Sequence, residues 1–143
     1  MLGINIFSGE SGLGGALTNP TELSRQKGSI FTWYSITFKG RYWPDVETAY
    51  QSLKDKDAAA NDALMIELIA EKFRQHLQLR EQVEKAGGRA FLENCSHFTG
   101  ARSESAKDWE GRGLQSRFIR NLVAGFDCSV NDKPSARGQY TLF

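Results

Sequence analysis

Cysteine and histidine are scarce in this chain, and each scarcity closes off a chemistry. Two cysteines, Cys95 and Cys128, are too few for a disulfide framework, and a domain of 143 residues does not need one. They read as two reduced thiols. Only His76 and His97 are there to join them, so no zinc-binding spacing exists and no metal is expected. A serine or cysteine triad would have to use one of the same histidines. His76 reads as a surface or edge residue of a helix, and His97 lies in the loop after Cys95. There is no GxSxG elbow, no HExxH and no kinase signature. Gly9, Gly12, Gly14 and Gly15 make a glycine-rich run, but no Gly-Lys-Ser/Thr follows it, so it reads as a flexible loop and not a phosphate loop. No apolar run approaches the roughly 20 residues that span a bilayer. The opening MLGINIFSGESGLGG lacks the basic start and apolar centre of a signal peptide. The expected location is the cytoplasm, with no membrane partner. Charge of one sign is not in excess either: the net charge of +1 leaves only a local basic patch as an electrostatic argument for nucleic acid.

What is present is an ordinary globular composition, 40% hydrophobic and 24% charged, at a length that buries a real core. One domain is expected over residues 1–143. Leu2 to Phe7 reads as a strand, and Thr21 to Lys27 as a short helix with Thr21 as N-cap and Gly28 as stop. Ile30 to Phe38 reads as a strand that turns at Lys39-Gly40 and returns through Arg41 to Trp43. Asp45 suits the cap of a helix from Val46 to about Lys54, with Val46, Ala49, Tyr50 and Leu53 as its apolar face. Glu47, Gln51 and Lys54 share a polar stripe beside that face. Further helices are expected over Asn61 to Gln75, over Leu79 to Ala86 with a stop at Gly87-Gly88, and over Leu114 to Ala124. Arg89 to Cys95 reads as a short strand or extended segment, Ser96 to Gly113 as irregular, and residues 127–143 as a tail that is polar until Tyr140, Leu142 and Phe143. The fold class is α+β, a mainly helical single domain with a few short strands near the N-terminus.

With nucleophile motifs excluded, carboxylate chemistry remains. Glycosidic bonds are commonly cut by Asp and Glu, because an electron-poor sugar carbon must be stabilised or attacked while an acid helps the leaving group depart. The candidates are Glu47, Glu93 and Asp108. Trp43, Tyr50 and Trp109 are aromatic planes that suit a base. Lys54, Arg102, Lys107, Arg112 and Arg117 are cations that suit phosphate. Each has a plainer reading: a Glu early in a helix complements the macrodipole, a Trp beside Pro before a helix is core, and Arg112 to Arg120 is a solvated helix face.

The ordered motifs add a resemblance. Phe38 to Lys54, reading FKGRYWPDVETAYQSLK, resembles the signature segment of the NADAR superfamily, which includes the YbiA-like proteins. Leu17-Thr18-Asn19-Pro20 resembles that family's Leu-Ser-Asn-Phe element. Glu71-Lys72-Phe73-Arg74-Gln75 resembles its Lys-Phe-x-Gln stretch, Gly88 to Glu93 its Thr-Gly segment leading to Leu-x-Glu, and Trp109 to Gly113 its Trp-Gly-x-Gly element. Together these cover roughly Leu17 to Val123.

The resemblance implies a mostly helical fold with a ligand cleft and activity on N-ribosyl compounds related to NAD or ADP-ribose. It implies catalytic work for Glu47, substrate contacts for Asn19, Lys54 and Trp109, and a further acidic position at Glu93. Trp43, Tyr50, Arg112 and Arg117 join the substrate contacts, and Asp108 the acids, on the residue chemistry above. No cofactor is implied. The chain departs from the pattern at Thr48, where His is common, and at Pro20, where an aromatic residue follows the Asn. It departs again in the long Glu93-to-Trp109 segment, and at Arg117 to Arg120 in place of Asn-x-Leu-Gly.

The expected function is therefore an N-glycosidase. Its partner is either a nucleotide-like small molecule or ADP-ribosylated nucleic acid. Phosphorylated riboflavin-pathway intermediates are an alternative substrate. A non-catalytic NAD or ADP-ribose-binding module, and nucleic-acid or protein binding through Arg102 to Arg120, are alternative roles.

Overall fold

The computed structural model describes residues 2–131; the expected apolar end at Tyr140, Leu142 and Phe143 lies outside them. The chain is α+β and mainly helical. Two short helices, α1 (Leu13–Leu17) and α2 (Thr21–Gln26), lead into a hairpin of β1 (Ile36–Phe38) and β2 (Arg41–Trp43), followed by α3 (Val46–Leu53). The long α4 (Ala58–Gln75), then α5 (Leu77–Ala86) and α6 (Arg89–Glu93), precede a second small sheet. That sheet is β3 (Ser96–His97) paired antiparallel with β4 (Gly111–Arg112), with α7 (Glu104–Lys107) between them. A 3-10 turn over Gly113–Gln115 delivers the last helix, α8 (Arg117–Val130). No helix among the described residues is long and apolar enough to cross a membrane.

The core is built where α4 crosses α8. Leu68, Ile69 and Phe73 of α4 meet Phe118, Ile119, Leu122 and Phe126 of α8, all buried, and Phe73 and Phe126 stack edge to face at 5.4 Å. The helices approach closely because Gly125 has no side chain: a Cβ there would fall 2.5 Å from Ile69 Cγ2.

Several local expectations hold. Asp45 caps α3, its Oδ1 accepting from the Thr48 amide at 2.8 Å. Lys39-Gly40 turns the hairpin at positive φ, and Gly28 follows α2 in the left-handed region. The helix expected from Asn61 begins at Ala58, where Asp57 caps it through the Ala60 amide.

Others are corrected. Thr21 does not cap α2; it is its first residue, and the amide of Glu22 is met by Asp45 Oδ2 at 3.0 Å. One buried carboxylate thus caps two helices. Leu2 to Phe7 is no strand: Asn5 alone forms a bridge, to Ser96. The glycine run after it folds partly into α1. Only the end of the Ile30-to-Phe38 segment is strand. Arg89 to Glu93 is helical, because Gly87 and Gly88 at positive φ stop one helix and restart the next. Ser96 to Gly113 carries a strand pair and a helical turn, so the strands are not confined to the N-terminal region. The last helix starts later and runs further than expected, since Ser116 caps it through the Ile119 amide and its pattern continues past Phe126 with Ser129 facing inward. On α3, Leu53 is more than a third exposed and drops out of the expected apolar face. His76 is half-buried, its Nε2 2.6 Å from the Ser35 carbonyl oxygen and its ring against Tyr34.

Candidate functional site

A cleft of about 570 Å³ opens between the early helices and the late loops. That is within the range of sites that take small molecules. Its floor is Met65 of α4 and Phe118 of α8. One wall is the Thr18–Pro20 turn, Leu23 and Lys27, and the face of α3 that carries Glu47, Tyr50, Gln51 and Lys54. These α3 residues sit at i, i+3, i+4 and i+7, one stripe of a helix. The late part of the chain contributes His97, Thr99, Ala101, Ser105, Ala106 and Trp109 to the lining.

Glu47 is held at both ends. Its amide, one of the free N–H groups of the first turn of α3, donates to the Asn19 carbonyl at 3.2 Å. Its Oε2 accepts from Gln51 Nε2 at 2.7 Å, which leaves Oε1 for a ligand.

Asn19 is fixed in turn by the segment before it. Lys72, fully buried, donates to the carbonyl oxygens of Ala16 and Thr18 at 2.6 and 2.9 Å. Burial drives its pKa down to about 7, against a smaller upward pull from Asp45. A neutral amine still has the two N–H groups these carbonyls need. The Asn19 side chain donates to Met65 Sδ at 3.4 Å. A thioether can only accept, so this contact orients the amide and leaves Oδ1 buried without a partner. An acceptor left unmet costs folding free energy, and Asn19 carries that cost at a position that lines the cleft.

The aromatic end is braced from outside. Tyr50 and Trp109 meet edge to face at 5.9 Å, and the Arg117 guanidinium lies 3.8 Å over the Trp109 ring. Arg117 also donates to Asp62 Oδ1 at 2.7 Å, which accepts from Asn121 as well. Burial pushes the Asp62 carboxyl up, but the hydrogen bonds from Asn121 and Arg117 and the charge of Arg117 outweigh it, and its pKa falls below the ordinary value. Burial raises the Tyr50 pKa; Glu47 and Asp62 add to this and Arg117 opposes it. Tyr50 therefore remains a hydroxyl donor through the neutral range.

In the late part of the chain, Glu110 Oε2 accepts from the Thr99 amide at 2.6 Å and from Thr99 Oγ1 at 2.7 Å. These bonds hold its pKa low and pin the loop that lines the cleft. His97 Nδ1 lies 2.7 Å from the Ile6 carbonyl oxygen, and its ring packs on Phe118 at 4.5 Å. Burial depresses its pKa, the Ile6 carbonyl and Glu110 opposing.

The structure gathers Glu47, Asn19, Tyr50, Lys54 and Trp109 around one cleft. It does not gather the rest of the expected set. Glu93 does not line the cleft and pairs with Arg89 at 3.2 Å. Asp108 is exposed at the end of α7. Trp43 is buried in the core, with Arg41 over its ring. Arg112 is exposed on β4, away from the lining. Arg117 acts through Trp109 and does not line the cleft itself.

Two lining groups escaped the sequence reading. Lys27, bonded to Ser8 Oγ at 2.7 Å and lying over Phe7, brings a second cation. His97, which the sequence offers only as a candidate triad histidine in a loop, lines the cleft as well. Among the described residues no group of His, Cys, Asp and Glu is arranged to hold a metal ion. Comparisons with family models, curated proteins and solved structures give no match to this chain.

Proposed function

We propose that the chain is an N-glycosidase that cuts an N-ribosyl bond in an ADP-ribose- or NAD-related substrate, ADP-ribose on modified guanine being the form we favour. The observation that carries the reading is the placement of Glu47, held by its amide bond to the Asn19 carbonyl and by Gln51, with Lys27, Lys54 and the Tyr50–Trp109 pair around one cleft. A positioned carboxylate stabilises the positive charge that grows on the ribose carbon as the C–N bond lengthens. Among the described residues, the lining cations Lys27 and Lys54 outnumber the lining carboxylate Glu47, which suits a diphosphate. Trp109, backed by Arg117, offers a plane for a base. The resemblance to the NADAR superfamily supports the same substrate class.

The test is hydrolysis of ADP-ribosylated guanine DNA, and of phosphorylated riboflavin-pathway intermediates as the alternative substrate, by wild type and Glu47→Gln. The variant keeps the Gln51 contact and loses the charge. The expected result is a fall in kcat of about 100-fold or more, with ADP-ribose still bound in calorimetry. A variant at full rate overturns the role of Glu47. One observation favours a second reading, a non-catalytic ADP-ribose-binding module: neither Glu93 nor Asp108 joins Glu47 in the cleft. Tight binding without any product from the wild type would establish that reading.

A further inference from the structure

Glycoside hydrolysis calls for a second proton-handling group beside the carboxylate, and among the described residues Glu47 is the one acidic residue lining the cleft. His97 is the lining side chain that can fill that role. The Ile6 carbonyl can only accept, so the nitrogen 2.7 Å from it, Nδ1, carries the ring hydrogen. In the neutral ring this leaves Nε2 with a free lone pair. No hydrogen bond to Nε2 is made by any described residue, and the ring lines the cleft. Phe118 at 4.5 Å and the β3–β4 pairing of His97 with Gly111 hold the ring in place. A carbonyl fixing one nitrogen so that the other works as a base is the arrangement by which an imidazole is oriented for proton transfer.

We propose that His97 Nε2 is the general base of this site, taking the proton from the water that attacks the ribose carbon, while Glu47 stabilises the charge on that carbon. This rests on the N-glycosidase reading and divides its labour. The water oxygen bonds to C1′ and gives one proton to Nε2. The C1′–N bond breaks with its electron pair on the leaving nitrogen, which takes a proton from solvent. The imidazolium returns its proton to solvent, so one water is consumed and no net proton. The groups facing the ring are consistent with this cycle. Glu110, beside β4, favours the imidazolium once it forms; the Ile6 carbonyl does likewise; Phe118 is apolar; Glu47 and Lys27 line the same cleft, Lys27 held by Ser8. Burial, the larger influence, keeps the resting ring neutral at pH 7.

His97→Asn is the informative variant. It keeps an N–H where Nδ1 stands, so the Ile6 contact survives, and removes Nε2. The expected result is a kcat about 100-fold lower with KM little changed. The part of the acid limb of the wild-type pH–rate profile set by the imidazole, lying below pH 6.5, should be lost with it. A variant that folds, keeps the rate and keeps the limb overturns the proposal while leaving Glu47 untouched. No turnover by the wild type on any of these substrates overturns the N-glycosidase reading and the base together, so the two failures are distinguishable.

Should His97→Asn fail to fold, nitrogen-resolved NMR of the wild type decides, since the chain has only two histidines to assign. An unprotonated His97 Nε2 at pH 7 that shifts on adding ADP-ribose supports the proposal. A protonated Nε2, or one indifferent to ADP-ribose, overturns it.

Discussion

Lys72 makes stability depend on pH in a direction opposite to that of most lysines. Unfolded, it holds its proton to about pH 10.5; folded, burial brings that value down to about 7. Between the two, the unfolded chain binds the extra proton, so raising the pH favours the folded state. Integrating over pH 7 to 9, where the folded amine is mostly neutral and the unfolded one still charged, gives about 2 kcal/mol of added stability. In urea, with slopes of roughly 1–3 kcal/mol/M for small proteins, the unfolding midpoint should rise by about 1 M. Tryptophan fluorescence reads the transition. The window closes near pH 9, because burial raises the pKa of the Cys95 thiol and, above that, of Tyr34 and Tyr50, and those groups act in the opposite sense. Lys72→Met keeps the stem and removes the amine, so its midpoint should be flat over the same range. A wild-type midpoint that stays level or falls from pH 7 to 9, or a rise that persists in Lys72→Met, would refute the reasoning.

Other outcomes follow from single contacts. Asp45→Ala uncaps α2 and α3 together and should cost about 2–4 kcal/mol in denaturant melts, since each lost cap is worth roughly 1 kcal/mol and the site is buried; a loss under 1 kcal/mol would show that water replaces both. Gly125→Ala puts a methyl into Ile69 and should cost about 1–3 kcal/mol, read by the melting temperature. In native protein a thiol reagent should modify one cysteine quickly, the exposed Cys128, and reach the buried Cys95 only after denaturation; rapid modification of both would place Cys95 at the surface. Asn19→Ala should weaken ADP-ribose binding in calorimetry by about tenfold while relieving an unmet buried acceptor, so a loss of affinity accompanied by unchanged or higher melting temperature is the expected pairing.

The parts of the fold that were legible in the sequence are those stabilised within a few residues. Asp45 announces α3 because a cap and its amides are neighbours, and Gly87-Gly88 announces a helix end because the backbone there needs positive φ. The missed elements take their partners from far away. Leu2 to Phe7 has strand-like residues, yet the backbone bonds of Ile4 and Ile6 go to Ser96, which no local pattern reveals. The loop after His97 is ordered by Asn5 bonding Phe98 and by Glu110 bonding Thr99. The site divides the same way. The helical stripe of Glu47, Gln51 and Lys54 is visible from spacing alone. Lys27 and His97 reach the cleft only through tertiary packing. The exclusion of Glu93 and Asp108 follows from their places at the ends of two short helices, α6 and α7, that start after Gly88 and Ser103.

The bond from the Glu47 amide to the Asn19 carbonyl also bears on how such a site can be altered. It joins two chain segments by backbone alone, so no exchange of side chains at either position short of proline at 47 removes it, and the Asp45 carboxylate rivets the same segments a second time. That half of the cleft behaves as a cast part. The other half, from Thr99 to Trp109, is a surface loop with many outward residues, held chiefly by Glu110 and by the Arg117 plate behind Trp109. Loop exchange between those anchors is where an engineer, or natural drift, would change what that wall contacts without disturbing the half that carries Glu47 and Asn19.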